Sequence, residues 1–135
     1  MKLLVDINIA LDLLLERAPW AGDAGRLLTA IERGQAEGYV AGHTITTIYY
    51  VMARYKDRAA AATAVTDLLR ILRVVPIEAS DFHRALVLGL SDFEDAVQVT
   101  AGLKVGADYV VTRNGRDFKA APVDARTPAE VLALL

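Results

Sequence analysis

Short apolar runs alternate with longer stretches in which apolar residues recur at helical spacing. LLVD (3–6) is a short apolar run closed by an acid, as buried strands of parallel sheets are, and IALDLLLER continues at the helical period. The pattern predicts a second helix from about Ala21 to Arg33, ended by Gly34, and a strand GYVAG (38–42) bracketed by glycines. TITTIYYVMARY (44–55) points two ways: its β-branched and aromatic residues favour a strand, its length and continuation a helix, and we read helix. Then follow an alanine-rich helix (58–72), a strand RVVPI (73–77), a helix ASDFHRALVLGL (79–90), the SDFEDA helix to about Val105 and a strand DYVVT (108–112). A short extended VDA and a helix from Pro128 close the chain. Strands separated by helices imply an α/β fold with a parallel sheet covered on both faces. No repeat, linker or low-complexity tract divides it, so residues 1–135 read as one domain.

In such folds ligands bind beyond the carboxyl ends of the strands, which directs attention to the polar residues there. Asp6 ends the first strand; Thr112 ends a late one and is followed by Arg113, Asn114 and Asp117. SDFEDA (91–96) adds three acids at the start of an apolar helix. Helix initiation explains two of them: Ser91 with Glu94 fits a capping box, and Asp92 in the first turn suits the helix dipole. Asp95 is left over, on the same face as Asp92, and two carboxylates on one face repel unless a cation lies between them. The stretch by itself leaves cap and site both open. The oxygens of these residues could meet only if the first and the late strand are neighbours, which the pattern does not establish. A cluster of carboxylate and amide oxygens without His or Cys suits a hard cation, Mg²⁺ or Mn²⁺.

Composition narrows the classes. The chain is 54% hydrophobic and 24% charged, globular in balance, and has no cysteine, which excludes disulfides, zinc–thiolate sites and cysteine nucleophiles. Asp6, Asn8 and Asp12 interrupt the apolar amino terminus, so neither a signal peptide nor a membrane span is expected there, and the chain reads as soluble and cytoplasmic. A net charge of −2 does not announce a nucleic-acid binder.

LLVDINIALDLLLER, SDFEDAVQVTAGLKVGADYVVTRNGRDF and the spacing between them resemble a PIN domain, nearest the branch that includes the VapC-type toxin ribonucleases of bacterial toxin–antitoxin pairs. The likeness runs through IYYV and the final TPAEVL. It implies a parallel sheet of order 3-2-1-4-5, a Mg²⁺- or Mn²⁺-dependent ribonuclease, a small antitoxin partner and a homodimer. Asp6 matches the first metal-binding aspartate, Asn8 the polar residue supporting it, and Asp95 the aspartate that opens D-A-x-x-x-x-A. Thr112 and Asn114 fall where the family has a threonine or serine and a further acid, with Asp117 near by. Two departures each remove a negative charge. The early helical glutamate of the family aligns with Thr46, Thr47 and Ile48, best with Thr47, and Asn114 replaces an acid.

The resemblance therefore implies Asp6 and Asp95 as direct metal ligands, with Asp92 and Asp117 binding a second ion or holding waters. Thr112 and Asn114 would position the attacking water, and Arg113, Arg116 and Lys119 would meet phosphates, unless they are ordinary solvated loop charges. For Asp6 the structural alternative is capping of the following helix. His43 reads as a capping neighbour, Trp20 as a helix-entry packing residue or a partner's anchor, and Tyr49, Tyr50 and Tyr55 as packing against the sheet or a second copy. Ile45, Ile48, Tyr49, Val51 and Met52 make their helix look apolar all round, which favours self-association. A catalytically weak scaffold that binds RNA or protein is the second functional class. A phospho-acceptor receiver is a third, but VDIN, YVAG and VVTR lack its paired acids, acceptor aspartate and lysine.

Overall fold

The computed structural model describes residues 1–135. Its order is β1 (Lys2–Val5), α1 (Ile7–Leu14), α2 (Ala21–Glu32), β2 (Glu37–Ala41), α3 (Gly42–Tyr55), α4 (Arg58–Ile71), β3 (Arg73–Val75), α5 (Ala79–Leu86), α6 (Phe93–Val105), β4 (Tyr109–Val111), β5 (Asp124–Arg126) and α7 (Pro128–Leu132). All four strand pairings are parallel, in the order β3-β2-β1-β4-β5. This is the order implied by the resemblance, and β1 and β4 are neighbours: Leu3 pairs with Tyr109 and Val5 with Val111. The ladder runs one step further, since the Asp6 N–H donates to the Val111 carbonyl at 2.9 Å.

Strand alternation sends successive side chains to opposite faces. Leu3, Val5 and Val111 join α1 to α4 and α7 in a cluster of 20 buried residues; Leu4 and Val110 pack with Val99 and Ala101 of α6 in a smaller one of 8. The ambiguous segment 44–55 is helical, because Ile48 and Met52, one turn apart, both bury into the larger cluster. That also corrects its expected all-round apolar surface: Ile48 and Met52 belong to the core, and only the tyrosine side is open. Several elements are shorter than their patterns suggest: α1 stops at Leu14, short of Arg17, and β4 covers only Tyr109–Val111. β3 stops at Val75 because Pro76 has no N–H for the ladder, and α5 stops at Leu86, shortly before Gly89 takes a left-handed φ of +78°. A 3₁₀ turn over Gly115–Phe118, which the pattern did not suggest, follows β4.

Candidate active site

The carboxyl ends of β1 and β4 and the amino terminus of α6 meet at one crevice. Asp6 precedes α1 but does not cap it with its side chain. Its carboxylate, 3% exposed with the residue as a whole, accepts from two neutral donors: Gln98 Nε2 at 3.0 Å on Oδ1 and Thr112 Oγ1 at 2.9 Å on Oδ2. The capping alternative for Asp6 is thereby replaced by a tertiary role. Thr112 Oγ1 accepts in turn from the Asn114 N–H at 3.1 Å, so one hydroxyl links the first strand's acid to the loop after β4. Gln98 is fixed by its other end, where Oε1 accepts from the Ile7 N–H at 3.3 Å. The sequence reading passed over Gln98. Its signal was available: it lies three residues after Asp95, on the same helix face, as the one amide in a buried apolar run.

α6 begins one residue later than expected. Asp92 is its N-cap, and Oδ1 accepts from the Asp95 N–H at 2.9 Å; Ser91 and Glu94 form no capping box. Asp95 therefore occupies the third helical position with its carboxyl free of that duty. Burial first, then the charges of Asp92, Asp6, Asp117 and Glu94, push this carboxyl up to about 7. Burial, then Asp92 and Asp6, also raise Glu94 above the usual glutamate value. No basic side chain offsets either group.

The expected four-acid metal set is not assembled as a ready cage. No three His, Cys, Asp or Glu side chains converge closely enough to hold an ion between them. The reason is visible in two members: Asp92 uses one oxygen for the cap, and Asp117 lies exposed in the 3₁₀ turn. The donor set still fits a hard divalent cation. It consists of oxygens, it is negative without compensation, and Mg²⁺ in particular keeps several waters and needs only one or two carboxylates.

The remaining expected residues part company. Asn8 sits in the first turn of α1, half-buried, beside Asp6. Arg116 and Lys119 lie exposed on the rim. Arg113, expected to meet phosphate there, is turned away from it: its Nε lies 3.0 Å from Asp12 Oδ2, and its guanidinium stacks 3.8 Å from the Trp20 ring centroid. Trp20 is thus neither plain packing nor an open anchor, although the residue stays 42% exposed. His43 has both ring nitrogens buried without partners, and burial pushes its pKa down, so it is neutral at pH 7.

Residues 2–116 match the sequence pattern of the PIN domain. The chain belongs to the PIN domain family. This PIN domain is 25% identical to Ribonuclease VapC1 of Aquifex aeolicus (strain VF5) over 137 residues, which span 96% of the chain and 92% of that protein. It is similar in fold to a toxin–antitoxin complex from Klebsiella pneumoniae, with a TM-score of 0.69 at 20% identity over 93% of this chain and 96% of that one. It is similar also to Mycobacterium tuberculosis VapC20, a sarcin-ricin loop cleaving toxin, with a TM-score of 0.65 at 19% identity over 80% and 86% of the two chains. No helix of this PIN domain is long and apolar enough to cross a membrane.

Proposed function

We propose that residues 1–135 form a Mg²⁺- or Mn²⁺-dependent endoribonuclease domain, the cytoplasmic toxin of a toxin–antitoxin pair. The observation that carries the reading is Asp95, whose carboxyl is held near neutrality by burial and four surrounding acids, with no cation from the chain to relieve it. Such a site is built for a charge from outside. The likeness to Ribonuclease VapC1 and to a sarcin-ricin loop cleaving toxin supports RNA as substrate. The likeness to a toxin–antitoxin complex supports a small protein that restrains the enzyme. A homodimer is supported by exposed apolar side chains, Leu86, Val87 and Phe93 among them.

Asp6 and Asp95 would hold the divalent ion, and Asp92 and Asp117 would bind a second ion or hold waters. A divalent ion there would lower the pKa of a bound water and neutralise charge developing on the scissile phosphate. Gln98 and Thr112 keep Asp6 in one orientation by donating to its two oxygens. Thr112 and Asn114 stand at the end of β4, where they can orient an attacking water, and Asn8 lies in the first turn of α1, two residues after Asp6. Arg116 and Lys119, exposed at the rim, meet the phosphate backbone.

Incubating the purified chain with structured RNA, with Mn²⁺, with Mg²⁺ and with chelator, tests the proposal. Metal-dependent cleavage that Asp95→Asn abolishes is expected; cleavage equal in that variant would assign the activity to a contaminant. The neutral side chains at Thr47 and Asn114 favour a second reading, a weak or inactive PIN scaffold. Retention of RNA without cleavage in either metal would select it.

A further inference from the structure

Three aspartates of this chain are almost fully buried, and the proposed chemistry uses only Asp6. Asp81 is held by Lys104 at 2.8 Å and by the Glu78 N–H. Asp12, on α1, is 0% exposed and takes no part in the hydrogen bonds around Asp6. Its two oxygens face two arginines from different segments: Arg113 Nε is 3.0 Å from Oδ2, and Arg17 Nη1 is 3.6 Å from Oδ1. Neither contact is an aligned hydrogen bond, and 3.6 Å is too long for one, so these are charge contacts between a buried carboxylate and two partly exposed guanidinium groups. Arg113 is immobilised from a second side by the Trp20 ring.

What makes the pair informative is the position of Arg113 in the chain. It lies between Thr112, whose hydroxyl donates to Asp6, and Asn114, whose N–H donates to that hydroxyl. Asp12 is six residues past Asp6 on the same segment. Beyond the backbone ladder of β1 and β4, side chains therefore join the two segments that build the crevice twice, once at the crevice floor by Thr112 and Asp6, and once behind it by Arg113 and Asp12. A cavity of about 270 Å³ lined by Trp20, Arg113, Thr127 and Pro128 adjoins the pair, so a released guanidinium has room to swing away.

We propose that Asp12 is a positioning residue for the crevice: through Arg113 it fixes the segment Thr112–Asn114 against Asp6. This rests on the nuclease reading for its catalytic consequence only; the geometric consequence stands without it. Removing the Asp12 charge frees Arg113, and Thr112 and Asn114 lose their registry with Asp6.

The test uses the full chain, metal-free and ¹⁵N-labelled, as wild type, Asp12→Asn, Arg113→Gln and the double variant. In Asp12→Asn the amide resonances of Thr112 and Asn114 are expected to shift. The emission of Trp20, the one tryptophan, should change as its stacked cation leaves. With RNA and Mn²⁺, kcat should fall by about 10- to 100-fold, as small misplacements of catalytic groups do, with KM within about twofold. Arg113→Gln should reproduce these effects, and the double variant should be no worse than either single, because both act through one contact. If Asp12→Asn does not fold, the double variant replaces a buried ion pair by two neutral amides and carries the same test on the amides of Thr112 and Asn114. Unshifted amides in a folded variant, or losses in kcat that add in the double, would overturn the proposal. If the wild type cuts no RNA, the nuclease reading fails alone, and the amide shifts still decide the role of Asp12.

Discussion

The two ends of α6 carry opposite solutions to the same problem. At the carboxyl end Lys104 reaches Asp81 at 2.8 Å and the Pro76 carbonyl at 2.7 Å, so a nearly buried acid is matched by a base from the same fold. Those contacts, with the Glu78 N–H first among them, hold Asp81 below the usual carboxylate value. At the amino end Asp92, Glu94 and Asp95 face Asp6 and Asp117, with no base among them, and Asp95 is pushed up to about 7. The helix dipole favours acids at the first end and bases at the second, but at 0.3–1 kcal/mol (about) it does not offset so many carboxylates. The chain therefore compensates its structural acids with bases and leaves the crevice acids without a basic partner. Asp12 sharpens the contrast, because burial raises its carboxyl even though two arginines pull it down. Burial and charge pairing are separable here, and only the crevice lacks the second.

Breaking the uncompensated end should have the largest effect. Asp95→Asn is expected to lower metal-dependent cleavage by at least about 100-fold, since loss of a ligand should exceed the 10–100-fold typical of its supporting shell. The same variant should gain about 1–2 kcal/mol of metal-free stability in urea melts, a figure discounted for solvent access at this partly exposed carboxyl. A variant that is no more stable than wild type would mean that the acids are already relieved.

Next in size is the shell that orients Asp6. Gln98→Leu removes the donor to Asp6 Oδ1 and orphans the Ile7 N–H. Cleavage should fall by about 10- to 100-fold, and stability by about 1–3 kcal/mol for the unpaired buried groups. Unchanged cleavage with lost stability would restrict Gln98 to the fold.

Thr47→Glu adds charge to the comparison instead of removing it. Thr47 is half-buried in α3, one turn from the fully buried Thr44, whose hydroxyl donates to the Ala41 carbonyl at 2.7 Å. If it stands where the family places its glutamate, the variant should bind Mn²⁺ more tightly and melt lower without metal, the two effects having opposite signs. Calorimetric titration and metal-free melting check both; unchanged Mn²⁺ affinity would mean that position 47 points away from the crevice.

The smallest expected effect is on pH dependence. The folded-state pKa of Asp95, about 7, lies above its ordinary 3.8, so the folded chain holds the extra proton between those values. Metal-free stability due to Asp95 is therefore present at low pH and lost as pH rises from about 4 to about 7. Asp81 has the opposite sign: its lowered pKa contributes stability above the ordinary value that is lost on acidification. Urea melts of Asp95→Asn between about pH 4 and pH 7, and of Asp81→Asn below the ordinary value of 3.8, should separate the two slopes.

Much of this was legible in the chain, for stated physical reasons. Apolar period and length located the five strands and the helices, because those signals are local. Two of the ends that moved, at Pro76 and Gly89, did so where a backbone rule intervened. Asp6, Asp95, Thr112 and Asn114 stood out as polar residues at strand or helix ends, and the structure brings Asp6, Thr112 and the Asn114 backbone into direct contact. The order of the strands came from the resemblance, since periodicity carries no pairing information. The partner of Asp12 was not legible: Arg113 is 101 positions away, and one loop arginine looks like any other until the strands are laid side by side. The cap of α6 was misjudged for a related reason. Ser91 and Asp92 are both good N-caps, and the sequence does not say which turns its side chain toward the first free N–H.

The most direct test of the uncompensated crevice is calorimetric titration of Mn²⁺ into the wild type at pH 6, 7 and 8. Binding should tighten across this range and release a proton at the lower values, as Asp95 ionises to receive the ion, and Asp95→Asn should lose both the affinity and the proton release. Absence of Mn²⁺ binding at every pH, or binding equal in the variant, would contradict the reading that these acids await a cation.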